Sequence, residues 1–402
     1  MSEAPDPTAP LWRHAGFRRL YLSTASFSLG TQIYQLAMPL LLYELTHSLQ
    51  AMSSMRAVEL LPNLLLAMFI GVWVDRIDRG RWARLAMAGM VALMGVQLLL
   101  LHRQGAQAVP LFLFTGFVLM TLNYLYGICR MGMIKEMLPT ALLLPATGQL
   151  TVLGQVSAVL GPALAGGLLA WQLSLGLWVP MLALLLAAWL LRELVLPVRR
   201  PEAQGFWAEW FEGWRVLRAN RPLWQLSWLV VLINGSAGVA ELLFLFRARE
   251  SLQLGPAQIG LLYGLAGAGG ILGGLYTSAL RQRLGLGRLL TLSLGLEALC
   301  IALLGWCDSL PMLALALLGN SAAQVLGNVC VWGYRQESTD SRYIGRISGL
   351  TGSIFKLLMP LSLVLSGSLA GQLHLGWMLS ACAGAHLLAL LGARLSAIYR
   401  VA

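Results

Sequence analysis

Residues 71–81 read GVWVDRIDRGR, a stretch that ends a long apolar run with Asp75, Arg76, Asp78, Arg79 and Arg81. A membrane span that stops at the cytoplasmic face needs only a few positive charges to hold its loop there. The arginines answer that need; the two aspartates and the glycine before them do not. Gly71 lets a neighbouring helix approach closely. Asp75 is suited to accept hydrogen bonds at the N-terminus of a facing helix or to pair with an arginine. The stretch therefore reads as a charged latch at a membrane boundary, provided that the run before it is one span among many.

Composition meets that condition. The 402 residues are 58% hydrophobic and 11% charged, against roughly 25% charged in an ordinary soluble domain. Apolar stretches long enough to span a bilayer recur at 18–43, 53–74, 82–101, 109–131, 143–170, 174–196, 223–246, 257–280, 287–306, 310–334, 347–372 and 376–398. The expectation is an all-α membrane protein of twelve transmembrane helices. Of 28 Lys and Arg, 23 fall at the termini or on the side of the loops after even-numbered spans; Arg56, Arg103, Arg247 and Arg249 lie opposite, and Lys356 lies within span eleven. By the positive-inside rule both termini are cytoplasmic. The same distribution assigns the net charge of +11 to topology and not to a nucleic-acid partner.

The opening MSEAPDPTAP is Pro-rich and precedes no short apolar core with a cleavage site, so no cleaved signal is expected. Cys129, Cys300, Cys307, Cys330 and Cys382 are scattered without a CxxC pair, which predicts neither a disulfide framework nor a zinc site. The chain contains no HExxH, GxSxG or P-loop pattern, so metal, cofactor, ATP-driven or other enzymatic chemistry has no visible basis in it.

The segment 197–222, PVRRPEAQGFWAEWFEGWRVLRANRP, divides the chain into a six-helix half at 1–196, a cytoplasmic linker and a second half at 223–402. Within the linker Phe206, Trp207, Trp210, Phe211, Trp214 and Leu217 alternate with Glu209, Glu212, Arg215 and Arg218 at helical spacing, which predicts an amphipathic surface helix. An offset near 205 relates the halves: Asn123 and Arg130 match Asn328 and Arg335, GPALAG at 161–166 matches SGSLAG at 366–371, and Gly71 matches Gly274 at 203. Parallel repeats of this kind are a transporter architecture with a midplane site.

With these features the chain resembles the major facilitator superfamily, whose loop between helices two and three carries G-x-x-x-D-R-x-x-R-x-R or close variants. Here the pattern is Gly71, Asp75, Arg76, Arg79 and Arg81. The resemblance implies the twelve-helix, two-half fold, a conformational latch at this motif, and a place in its charge network for Arg130 and Glu136. The second half keeps Gly274, Arg281 and Arg283 but has Ser278 where the aspartate would stand. The run GPALAGG, with Gly161, Pro162, Gly166 and Gly167, is similar to the glycine-proline signature of antiporter-type facilitators, although Ala165 replaces one usual glycine. It implies close helix packing and outward transport. More narrowly, LLYELTHSLQAM, EGWRVLRANRPLW and YRQESTDSRYIGRISG resemble the macrolide-efflux and enterobactin-exporter-like branch, which implies export of drugs, siderophores or related amphipathic products.

Polar residues inside a bundle are costly and tend to face a cavity or one another. Asn320, Gln324 and Asn328 form one stripe of span ten; Asn123 and Arg130 share a face of span four, Asn234 and Glu241 a face of span seven, and span one carries Gln32 and Gln35. Helices one, four, seven and ten line the cavity in the resembling family, so the amides of these stripes are the expected substrate contacts. Interhelical hydrogen bonding is the alternative. Proton coupling needs a buried carboxylate; Glu241 is the first candidate, with Glu297 and Glu59 behind it, and Glu59 one turn from Arg56 equally fits a structural ion pair. Lys356 could neutralise a carboxylate, bind an anionic substrate or snorkel to the interface. The expected protein is a monomeric secondary transporter of the cytoplasmic membrane that exports a small amphipathic molecule by alternating access in exchange for protons. An importer or lysolipid flippase on the same fold is the alternative, and a membrane enzyme or receptor a further one.

Overall fold

The computed structural model describes residues 11–74, 77–103, 105–192, 194, 206–340, 343–369 and 371–400. They form α-helices joined by short turns: α1 (Ala15–Thr46), α2 (Leu49–Leu65), α3 (Ala67–Val74), α4 (Arg79–Arg103), α5 (Val109–Met137), α6 (Thr140–Trp171) and α7 (Leu175–Leu191). After the central segment come α8 (Phe206–Ala219), α9 (Arg221–Glu250), α10 (Pro256–Leu284), α11 (Leu286–Trp306), α12 (Leu310–Glu337), α13 (Ile344–Ile354), α14 (Met359–Ser368) and α15 (Leu375–Leu395). Among the described residues nine helical segments are long and apolar enough to cross a membrane, and Leu175–Leu191 is a shorter apolar helix.

Two expected spans are interrupted. The span at 53–74 is α2 and α3, separated at Leu66, and the span at 347–372 is α13 and α14, separated by residues 355–358. Pro62 lies inside α2 and Pro360 in the first turn of α14. A proline lacks the donor an uninterrupted helix needs, so Pro360 favours the break on its N-terminal side; Pro62 precedes Leu66, where the Leu66 and Ile70 N–H groups still donate to the Pro62 and Leu66 carbonyls at 2.9 and 2.8 Å, so the separation of α2 from α3 is slight.

The described helices fall into two compact units, Met1–Thr46 with Leu61–Ala203, and His47–Leu60 with Gln204–Ala402. In the first, α1 packs on α6 and α7, and α4 on α5 and α7. Gly161 of α6 permits the closest approach, because a Cβ there would run into the Cβ and backbone of Gln32. In the second unit α10 packs on α12 through Gly269 and Gly273, where a Cβ would strike the carbonyls of Leu318 and Ala322. The early turns of α2 join this unit for a similar reason: Gly367 of α14 leaves room only for Ser53 and Gln50.

The amphipathic stretch of the linker is helical, as α8, and it packs against α9 and α13. Leu217 is fully buried in a core with Leu223, Leu226, Leu289 and Leu290, while Phe211 stays exposed. The apolar face therefore serves protein packing at its C-terminal end. The side chains of Phe206, Trp207, Glu209 and Trp210 lie outside the described residues.

Candidate functional site

The opening stretch resolves into separate tasks. Asp78 caps α4, its carboxylate accepting the Arg81 backbone N–H at 3.0 Å, which satisfies one of the free donors of a helix start. Trp73 and Trp82 meet edge to face with ring centroids 4.4 Å apart, fixing the ends of the loop. Arg79 crosses to α5 and pairs with Glu136. Gly132, one turn before Glu136, makes that route possible: a Cβ there would meet the Arg79 Cδ and Nε at 2.5 Å. Arg84 donates to the carbonyls of Leu191 and Leu194 at the end of α7, at 3.3 and 3.4 Å. Arg81 is exposed and Arg130 half-buried with its Nε unpartnered. Asp75 and Arg76 lie outside the described residues, as does the surrounding of Gly71.

The second unit repeats the clamp. Arg281 Nη2 is 2.6 Å from Glu337 Oε2, and a Cβ on Gly333 would meet Arg281 Nη1 at 2.8 Å. Arginine, glycine and glutamate thus recur at offsets of 201 or 202, about one helical turn short of the offset that the sequence match suggests.

The polar stripes divide between exposure and structural use. Gln324 and Asn328 are exposed along α12, and Asn320 is half-buried with its Oδ1 unpartnered. Asn123 is half-buried, 3.8 Å from the Met120 sulfur. Gln35 and Gln32 are half-buried on α1, the latter against Gly161. Asn234 is engaged, its Nδ2 donating to the Phe355 carbonyl at 3.0 Å in the α13–α14 break. Pro162 is half-buried, Gly166 buried, and Gly167 exposed with open space around it.

The three acidic candidates have different surroundings. Glu59 is buried and bonds Arg56 at 3.2 Å. Glu241 is 58% exposed and 3.9 Å from the same arginine. Glu297 is buried on α11, with its Oε2 3.2 Å from Nε2 of the fully buried His386 on α15. The other ring nitrogen of His386 sits 3.2 Å from the Ser236 hydroxyl of α9 and 3.0 Å from the Cys382 carbonyl. His386 is the residue that sequence reading missed, because a lone histidine carries no signal until packing places a carboxylate beside it. A second unread cluster is Gln97, fully buried on α4, which donates to Tyr34 Oη and Thr115 Oγ1, each at 3.1 Å.

Comparison with known proteins agrees with this construction. Residues 20–363 match the family model described as Major Facilitator Superfamily. Macrolide efflux protein A of Streptococcus pyogenes is 23% identical over 369 residues, covering 89% of this chain and 90% of that one. Among solved structures, a bacterial homologue of the iron transporter ferroportin in an inward-facing state superposes with a TM-score of 0.75 at 17% identity, over 96% of this chain and 98% of that one. The nucleoside transporter NupG does so at 0.70 and 12% identity, over 94% and 98%. The structural likenesses establish the fold, and the family match extends over most of the chain. This multi-pass membrane protein belongs to the major facilitator superfamily.

Proposed function

We propose that the protein is a monomeric secondary active exporter of a small amphipathic molecule, working by alternating access in the cytoplasmic membrane with twelve spans and both termini inside. The observation that carries the direction is the similarity to macrolide efflux protein A over about nine-tenths of both chains; GPALAGG on α6 supports it. In this reading Gly71, Asp75 and Arg76 latch the two halves at the cytoplasmic face, while Arg79 and Glu136 hold the latch loop on its own half. The exposed amides of α12, Gln324 and Asn328, with Asn320, Asn123, Gln32 and Gln35, contact substrate. Asn234 sets the shape of its half by fixing the α13–α14 break.

Export is driven by proton entry, and the pair Glu297–His386 is the carrier we favour over Glu241 and Glu59. A carboxylate and an imidazole buried together hold one proton between them with no net buried charge, so a single proton can be loaded on the pair and released from it, whereas Glu241 is exposed and Glu59 is committed to Arg56. Everted and right-side-out vesicles test the direction: accumulation in everted vesicles on acidifying the lumen is expected, and accumulation only in the opposite orientation would make the protein an importer or flippase. Substrate-dependent proton flux should fall at least tenfold in Glu297→Gln and in His386→Gln. Unchanged flux in both removes the pair from coupling.

A further inference from the structure

Among the described residues of the second unit, Arg335 and Lys356 are partly buried cations on membrane spans with no acid paired to them, whereas Arg221, Arg283, Arg288 and Arg394 are exposed at helix ends. Its described acids on or at the ends of spans are committed elsewhere: Glu59 and Glu241 to Arg56, Glu297 to His386 and Glu337 to Arg281. Glu250 too is engaged. Arg335 of α12 has only neutral partners, donating to Thr351 Oγ1 at 3.1 Å with its Nε buried and unpartnered and its guanidinium 5.9 Å from the Trp332 ring. The Lys356 ammonium has no hydrogen-bond or ion-pair partner among the described residues, and its side chain is only partly buried.

Lys356 does not sit in a frayed end. The break between α13 and α14 is built onto α9: Asn234 Nδ2 holds the Phe355 carbonyl at 3.0 Å, Ser362 Oγ donates to the Gly235 carbonyl at 2.9 Å, and Gly235 leaves just enough space for Leu358. The lysine is nine residues into the apolar span Ile347–Ser368, a depth of about 14 Å at 1.5 Å per residue, close to the middle of a core about 30 Å thick. A four-carbon stem does not carry an ammonium from there to the interface. Arg335 of α12 reaches toward the same span through Thr351 of α13, which lies about 6 Å into it. Ionisable groups left unpaired at such depth are paid for by a water-filled path and a ligand of opposite charge. The N-terminal end of α14, which follows Lys356, adds potential of the same sign.

We infer that the transported molecule is an organic anion, its carboxylate, sulfonate or phosphate group met by Lys356 at the α13–α14 break and its passage from the Thr351 level assisted by Arg335. This rests on the transport reading above and names its substrate class. It differs from what a cation-binding exporter would present, because an ammonium-bearing drug requires an unpaired carboxylate, and the second unit's described spans offer none that is both buried and without a basic side chain beside it.

The test uses the full chain in nanodiscs and in everted proteoliposomes, with cholate, taurocholate and dodecyl phosphate as anionic probes and ethidium as the cationic one. Wild type should bind and accumulate at least one anion, and Lys356→Gln should weaken its half-saturation by about tenfold to a hundredfold, the loss of one charged hydrogen bond. Lys356→Arg should stay within about threefold of wild type, as expected if charge is what matters; Arg335→Gln should show a smaller, parallel loss. Melting temperature and elution volume identify any variant that fails to fold, in which case the Arg variant and competition between anions and ethidium on wild type decide. Ethidium transport without anion binding or competition overturns the anion site and leaves the transporter reading intact. Anion binding that responds to Lys356 without outward movement overturns export and leaves the site. Binding of no anion, or equal affinity in wild type and Lys356→Gln, overturns the inference.

Discussion

The two halves carry the same clamp of arginine, glycine and glutamate, but only the first copy is closed in by its surroundings. The Arg79 and Glu136 side chains are 18% and 10% exposed, whereas Arg281 and Glu337 are 24% and 58% exposed. Removing one partner of a buried pair strands the other charge, while an exposed pair contributes little beyond what water already supplies. The glycines follow suit. At Gly132 the stem of Arg79 lies where a Cβ would be, held from both ends; at Gly333 only the tip of Arg281 approaches. Duplication thus preserved the contact in both halves, and the degree of burial decides how firmly each helix pair is fastened. In the proposed latch, the first half, which also carries Asp75 where the second has Ser278, supplies the loop.

The largest effect should come from Glu136→Gln, which removes the acid buried beside Arg79 and should cost about 3 kcal/mol of stability in denaturant unfolding of the detergent-solubilised protein. A loss below about 1 kcal/mol would place the pair in the same class as its exposed counterpart. Gly132→Ala should cost about 2 kcal/mol by forcing the arginine off its path, while Gly333→Ala should stay within about 0.5 kcal/mol; equal losses would erase the contrast between the two glycines. The smallest effect belongs to Glu337→Gln, at most about 1 kcal/mol and fading as salt is raised. A salt-independent loss of several kcal/mol would show that Glu337 is shielded in the membrane environment.

Much of the site was legible residue by residue, and little of it pair by pair. Arg79 and Glu136 stand out in the sequence as charges at membrane boundaries, yet their partnership depends on Gly132, one of 43 glycines and unremarked among them. The internal repeat is visible, but its register slips by about one turn, because a shift of four residues returns to nearly the same helix face and common residues match there as well. Glu297 was visible as a buried acid; His386 was not visible as its partner, since α11 and α15 meet only through packing. Glu241 is the converse case: its sequence position inside an apolar run says nothing about whether its carboxylate is buried, and it is 58% exposed.

The sequence by itself determined the class of molecule, because hydropathy and the placement of arginines are local properties that the bilayer reads one segment at a time. It also anticipated the linker helix, found as α8. Tertiary structure alone decided that Asn234 holds the break within 347–372, and that Arg335 and Lys356 remain without an acid while every described acid of the second unit's spans finds another partner. Charge compensation is a property of three-dimensional neighbours, and in a medium that screens poorly it is the neighbours, not the count of charges, that fix which groups are left for a ligand.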